Sequence, residues 1–315
     1  MSMITSVCLN PCVDKTVTIE KFNYGGMNRV VSSRHDYVGK GVNVALNLAA
    51  LGVSSVCVGL IARNGSEKTF ANLEAHNVKH DFWVLPGDIR VNTKVVNLAS
   101  SVVTELNESW DVSPEIYDSI ERLVVRHARD SEWIVLTGSL PRGLGGDTYK
   151  RLIRAIRGSA NCKIALDAEG EPFALAVAEK PDFVKPNAYE LGLYCGQASA
   201  IDTPTSAAVH GKALLDIGVE HVIISMGEMG AVYLSKDTAL HAQAIPTKVR
   251  STAGAGDAML AGFIGRVAVG VTAQEAFRFA CAAAAAKVAT EGTQPITPEV
   301  CAALVNRVDV RREFV

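Results

Sequence analysis

Short runs of β-branched and aliphatic residues alternate with stretches of helical period along most of the chain. Near-continuous apolar runs at Ile4–Leu9, Ser55–Leu60, Trp133–Thr137, Lys163–Asp167, Phe183–Lys185 and His221–Ser225 predict strands covered on both faces. Between them, apolar positions three and four apart predict helices at Gly41–Leu51, Glu67–His76, Pro114–Ala128, Asp147–Arg157, Ala188–Cys195 and Thr205–Ile217. Further on, Asp257–Val269 and Ala273–Ala289 are apolar nearly all round and predict buried helices. Such alternation implies right-handed crossovers and a mostly parallel sheet with helices on both faces, an α/β sandwich.

Two regions break this rhythm. Lys15–Val38 and Ile89–Leu106 read as period-two strands with no helix between, as in Thr16-Val17-Thr18-Ile19, Val91-Asn92-Thr93-Lys94-Val95-Val96 and Val102-Val103-Thr104-Glu105-Leu106. Ala99-Ser100-Ser101 suits a hairpin turn between the last two. Strands with one polar face predict a small sheet standing apart from the main core. Such a flap covers an active site or pairs with another subunit through its exposed face. With no repeat, low-complexity tract or linker in view, the expectation is one domain over 1–315 with lid insertions at about 10–38 and 89–108.

Composition narrows the function. Hydrophobic residues make up 48% and charged residues 20%, which suits a globular enzyme rather than a disordered chain. The net charge of −2 argues against a nucleic-acid partner, yet leaves the few local cations that a phosphorylated small molecule needs. Met1–Leu9 has no basic n-region, and the longest apolar stretch, Phe279–Ala286, is far short of a membrane span, so neither signal peptide nor membrane partner is expected. Seven cysteines lie mostly in apolar surroundings, and the closest pair, Cys8 and Cys12, lacks the second pair or His of a zinc set. Free thiols in a reducing cytoplasm follow.

The candidate chemistry lies in turns. Ser251-Thr252-Ala253-Gly254-Ala255-Gly256-Asp257 precedes a buried helix, so its glycines and the helix N-terminus can gather backbone N–H groups around an anion. Asp257 at that mouth repels a phosphate unless it has a task there, such as accepting a proton from an attacking hydroxyl. The same residues also describe a tight turn with an Asp cap. Gly39-Lys40-Gly41-Val42-Asn43 opens another helix with glycines that allow close approach and an amide that suits hydroxyls. Asn10-Pro11-Cys12-Val13-Asp14 ends the first strand, and Gly138-Ser139-Leu140-Pro141-Arg142-Gly143 follows another at the carboxyl edge, where open parallel sheets bind ligands. Lys185-Pro186-Asn187-Ala188-Tyr189-Glu190 sets Asn187 and Glu190 three apart, as oxygen ligands or as a capping box. Ser225-Met226-Gly227-Glu228-Met229-Gly230 closes a further strand. Singly, each is a turn or a cap.

In this order along the chain, the segments resemble the signatures of the phosphofructokinase-B, or ribokinase-like, carbohydrate kinases. The resemblance implies a ribokinase-like three-layer sandwich with a small β-sheet lid. It implies Gly254, Ala255 and Gly256 as the anion hole and Asp257 as catalytic base. It also implies Asp14, Gly39, Lys40, Gly41, Asn43 and Ser139 against the sugar. For ATP it implies Lys185, Asn187, Ser225, Gly227 and Gly230, with Mg²⁺ held through water by Asn187 and Glu190.

A phosphate already on the acceptor calls for fixed cations, preferably arginine. Lys40 lies inside the first glycine turn, Arg90 with Asn92 and Lys94 on a flap strand, Arg29 near the first flap pair and Arg142 in the Ser139 turn. The Arg90–Lys94 run, with Thr104-Glu105-Leu106-Asn107, resembles the 1-phosphofructokinase and tagatose-6-phosphate kinase branches. A ketohexose monophosphate is therefore the expected acceptor, fructose 1-phosphate first, with tagatose 6-phosphate or another sugar as alternatives. A non-catalytic sugar-phosphate sensor has no need of Asp257. A dinucleotide-binding oxidoreductase lacks its G-x-G-x-x-G after the first strand.

Overall fold

In the computed structural model, residues 3–197 and 201–312 are described. Among the described residues fourteen strands form two sheets: β1 (Ile4–Cys8), β2 (Cys12–Ile19), β3 (Val30–Val38), β4 (Ser55–Asn64), β5 (Lys79–Asp88), β6 (Arg90–Asn97), β7 (Val102–Asn107), β8 (Trp133–Thr137), β9 (Lys163–Asp167), β10 (Phe183–Val184), β11 (His221–Ser225), β12 (Ala231–Ser235), β13 (Thr238–Ala242) and β14 (Val310–Arg312). The large sheet has the order β14-β13-β12-β11-β10-β9-β8-β1-β4-β5. Pairing is parallel from β11 through β5 and antiparallel from β11 out to β14.

Each expected strand and helix is present within two residues at most of its bounds, except that β2 begins at Cys12, four residues before the expected Thr16–Ile19 run, β4 runs on to Asn64 and Pro114–Ile116 forms a 3₁₀ turn before the helix Tyr117–Ala128. The three layers follow from the pleat. On β8, Ile134 and Leu136 pack with Tyr149, Leu152 and Ile153 on one face, whereas Trp133 and Val135 pack with Phe263 and Phe277 on the other. Both sets are fully buried, so the strand carries no polar face to alternate. The helices Ala255–Val267 and Ala273–Val288 fill the second face, as their all-round apolarity implies.

The sequence pattern does not mark β5, β12, β13 or β14, nor the helices Gly170–Val177 and Pro298–Val305. These strands lie toward the edges of the sheet, where Lys79, His80 and Asp81 on β5 and the Lys236-Asp237 turn dilute the apolar signal.

The lid is a four-stranded sheet of order β3-β2-β6-β7. Its outer pairs are antiparallel, but its central pair is parallel, with Cys12 opposite Arg90 and Asp14 opposite Asn92. That register sets the side chains of both insertions side by side. All seven cysteines are free thiols, five of them buried.

Candidate active site

A cleft of about 410 Å³ opens between the carboxyl ends of the parallel strands and the lid. It brings together Asp14, Gly39, Lys40, Asn43, Arg90, Ser139, Lys185, Asn187, Glu190, Ser225, Gly254, Gly256 and Asp257, residues spread over most of the sequence. Their convergence follows from the topology, since β1, β8, β9, β10 and β11 are parallel and end on one edge.

At its floor, Gly254 takes a left-handed φ of +77° at the N-cap of the helix Ala255–Val267. A side chain here would be strained, and its Cβ would stand 3.2 Å from Lys287 Cε. The Ala255 amide is already given to the Thr252 carbonyl at 3.3 Å. The next amides of the first turn, at Gly256 and Asp257, have no partner within the helix. Of the amides expected at 254–256, that of Ala255 is thus engaged in the turn, while the helix leaves that of Gly256 open with Asp257 N beside it. Asp257 is 5% exposed, and its Oδ2 accepts from Asn43 Nδ2 at 2.8 Å. Burial pushes its carboxyl above the ordinary aspartate range, against the pull of Lys40, the Asn43 hydrogen bond and Lys185. Asn43 lines the same cleft, and its Oδ1 is buried without a partner.

On the acceptor side, Asp14 Oδ2 accepts from Lys94 Nζ at 3.0 Å and its Oδ1 accepts from Asn92 Nδ2 at 3.3 Å. Arg90 donates to the Asn10 carbonyl at 2.9 Å, to Asn92 Oδ1 at 2.9 Å and to the Glu108 carbonyl at 3.2 Å, which fixes its guanidinium while its Nε stays unpartnered. Ser139 Oγ accepts from Asn10 Nδ2 at 3.1 Å. Gly41 has a different task from the one expected. A Cβ there would stand 2.6 Å from Cys8 Cβ and 2.7 Å from the Val7 carbonyl, so its glycine lets helix Lys40–Ala50 press on β1.

Asp167 was not among the residues singled out from the sequence. It ends β9, is 2% exposed, and lies 3.4 Å from Lys185 Nζ and 3.7 Å from Lys40 Nζ. Burial raises its carboxyl, but Lys185 and Lys40 outweigh burial and hold it below the ordinary range. Lys40 is raised in turn, chiefly by Asp167. A carboxylate closing a predicted parallel strand at the ligand-binding edge is the signal that could have found it. Lys185 itself lies beneath the cradle, its Nζ 3.0 Å from the place of a Cβ on Gly256.

On the nucleotide side, Asn187 and Glu190 do form a capping box, each accepting from the other's backbone amide at 2.8 Å. Burial raises the Glu190 carboxyl. Ser225 reaches the cleft, but Gly227 and Gly230 lie beyond its lining. Gly230 is required by packing, because a Cβ would collide with the Ala242 carbonyl, whereas Gly227 faces open space at a φ of +58°. Arg29 is exposed at the head of β3 and outside the cleft, and Arg142 is paired with Asp111 at the surface at 2.7 Å.

A carboxylate beside free helix-terminal amides, with lysines and an arginine opposite, defines a site for transferring a charged group to a hydroxyl. The chain matches the pfkB family carbohydrate kinase over residues 7–300, and it belongs to that family. It is 35% identical to a 1-phosphofructokinase of Rhodobacter capsulatus, over 98% of this chain and 97% of the relative. It is 30% identical to a D-tagatose-1-phosphate kinase of Bacillus licheniformis, over 92% and 94% respectively. In fold it is similar to phosphofructokinase-2 from Escherichia coli in complex with substrates and products, with a TM-score of 0.90 at 23% identity over 98% and 99% of the chains. The tagatose relative is a 1-phosphate kinase, so the 6-phosphate expected as runner-up is not the acceptor it names.

Proposed function

We propose that this protein transfers the γ-phosphoryl group of ATP to a ketohexose 1-phosphate, fructose 1-phosphate first, giving fructose 1,6-bisphosphate. The observation that carries the reading is the 2.8 Å hydrogen bond from Asn43 to Asp257, which joins the two glycine turns over one cleft. The acceptor phosphate sits against Lys40 and Arg90, and Asp14 with Asn43 holds sugar hydroxyls. Asp257 accepts the proton of the attacking hydroxyl, for which a carboxyl raised by burial is better matched than an exposed one. The amides at the head of helix Ala255–Val267 face the charge that spreads over the phosphoryl oxygens during transfer.

ATP lies along Asn187, Ser225 and the open Gly227 turn. Among the described residues no three His, Cys, Asp or Glu side chains gather to hold a metal unaided. The donors fit a hydrated Mg²⁺ carried by the nucleotide, because Glu190 gives Asn187 N only one carboxylate oxygen. Such an ion would supply charge neutralisation of the β- and γ-phosphates.

The chain folds as one domain in this reading, acts in the cytoplasm, and pairs through its lid. Val30, Val31, Val102, Val103 and Leu106 are all more than half exposed on the outer strands, an apolar surface suited to a second copy. Arg29 immediately precedes Val30 at the head of β3 and is exposed. Sedimentation of the purified protein at micromolar concentration should give a dimer; a monomer would remove this part.

A coupled ADP assay with fructose 1-phosphate, tagatose 1-phosphate, tagatose 6-phosphate, fructose 6-phosphate and the free sugars tests the main reading. Fructose 1-phosphate should give the highest kcat/KM. A free sugar turned over better would overturn the phosphate-binding role of Lys40 and Arg90. The D-tagatose-1-phosphate kinase relative makes tagatose 1-phosphate the second reading.

A further inference from the structure

Lys287 is not among the residues that line the cleft. It is next to last in the helix Ala273–Val288 and 1% exposed. Its Nζ donates to the Gly292 carbonyl at 2.6 Å and to Thr290 Oγ1 at 2.9 Å, and the Thr290 hydroxyl donates back to the Lys287 carbonyl at 2.8 Å. Both partners are uncharged. A buried ammonium with neutral partners is costly, and an apolar residue of similar volume in such a place is often neutral or stabilising. The charge therefore calls for a use.

Its position supplies one. Lys287 Cε lies 3.2 Å from where a Cβ on Gly254 would stand. The carbonyl of the next residue, Val288, accepts from Arg250 N at 2.8 Å and Ser251 N at 3.3 Å, so the same helix end holds the segment that enters the glycine turn. On its other side, Gly292 backs directly onto the Arg34–Asp36 pair of β3, and Thr293 lines the cleft with an unpartnered buried hydroxyl. The charged groups that bear on the ammonium are Asp36 and Arg34 on β3, Lys94 on β6 and Asp257 on the helix Ala255–Val267.

We propose that Lys287 is a positioning residue, a built-in cation that ties the 290–292 segment to the glycine turn. It sets a fixed positive charge behind the Gly254–Gly256 cradle, where the transferred phosphoryl group gathers negative charge. The inference rests on the assignment of Asp257 and that cradle as the transfer site. A hydrogen-bonding brace alone could be built from a neutral donor, so the charge is what separates the two roles. Burial also brings the ammonium down to about 8, so the cation is lost as pH rises through that value.

The test compares Lys287→Gln, which keeps donors and removes charge, with Lys287→Ala, which opens room for ethylammonium. In the ADP assay, Lys287→Gln should lose about tenfold or more in kcat with both KM values within about threefold. The decline of wild-type kcat above pH 8 should vanish in it. Ethylammonium should raise kcat of Lys287→Ala by about threefold or more and leave the wild type unchanged. A Gln variant with kcat within about twofold of wild type and the alkaline decline intact would overturn the proposal. Should glutamine unfold the protein, the alanine variant decides, with recovery by the amine supporting the charge and no recovery overturning it. Asp257→Asn run in parallel keeps the levels apart. Wild-type-like turnover there removes the assignment beneath the proposal, whereas an inactive Asn variant beside a fully active Gln variant removes the proposal alone.

Discussion

The two glycine turns at 39–43 and 254–257 look alike in sequence and are unlike in cause. Each opens a buried helix, and the two helices meet through the Asn43–Asp257 hydrogen bond. In the first, the glycines serve packing. Gly39 and Gly41 press against Cys8, Pro11 and the backbone of β1 where a side chain would stand, and the cleft is lined there by Gly39, Lys40 and Asn43. In the second, Gly254 adopts a left-handed backbone beside Lys287 and Gly256 has only a lysine tip near its missing side chain, which leaves amides open to the cleft. A glycine signal reports that a side chain is excluded; what excludes it, neighbour or ligand, is settled by the fold.

The sharpest way to break the comparison is to remove the carboxylate of the second turn. Asp257→Asn should reduce kcat by about 10²- to 10⁴-fold with KM for either substrate little changed, because the amide keeps the shape and cannot take the proton. Its stability should hold or rise. A carboxyl whose folded pKa is raised binds its proton more tightly folded than unfolded, so at neutral pH the ionised group opposes folding. For the same reason the acid limb of wild-type kcat/KM should lie above the ordinary aspartate range, since activity falls as pH drops through the folded pKa. An acid limb at or below that range would show that Asp257 is not the base.

Gly41→Ala attacks the first turn where packing rules. Its Cβ meets Cys8 Cβ at 2.6 Å and the Val7 carbonyl at 2.7 Å, and neither is the free end of a flexible chain. Overpacking of this kind should cost about 1–3 kcal/mol in chemical denaturation, with kcat of the folded fraction within a few fold. A wild-type midpoint would show that the helix Lys40–Ala50 can step away from β1.

Gly256→Ala is the matched, smaller perturbation. Its Cβ meets only Lys185 Nζ at 3.0 Å, and alanine suits a helix better than glycine, so stability should be unchanged or higher by up to about 1 kcal/mol. The methyl group crowds the amides facing the phosphoryl oxygens, and kcat should fall about tenfold. Stability lost without activity lost here would reverse the roles given to the two turns.

These contrasts also mark how far the sequence could be read. The parallel strands were legible because β1, β8, β9 and β11 are largely buried on both faces and mostly apolar, and the turns were legible because glycine, asparagine and aspartate cluster at their ends. Asp167 and Lys287 were not, for one reason. Each lies within an ordinary strand or helix pattern, and its meaning comes from groups distant in sequence: Lys40 and Lys185 for the one, the Gly254 turn for the other. Periodicity reports a residue's face and cannot report its company. The edge strands escaped for a related reason, since a half-exposed strand such as β5 mixes polar and apolar positions and its identity comes from the neighbour it pairs with.

The smallest effect is expected at Arg142, which proximity to Ser139 made a candidate for the acceptor phosphate. Its backbone matters: Arg142 N donates to the Trp110 carbonyl at 2.8 Å and its own carbonyl accepts from Val112 N at 2.9 Å, which seats the outer loop of the lid on the 138–143 turn. Gly143 beside it must lack a side chain, because a Cβ would collide with the Val112 carbonyl. The Arg142 guanidinium instead points to Asp111, with both side chains well exposed to solvent. Exposed pairs of this kind contribute about 0–1 kcal/mol. Arg142→Ala keeps every backbone bond and should leave KM for fructose 1-phosphate within about twofold and the denaturation midpoint nearly in place. A larger rise in KM would mean that the lid closes far enough to swing this arginine from Asp111 onto the substrate, and the acceptor side of the cleft would then extend past Ser139.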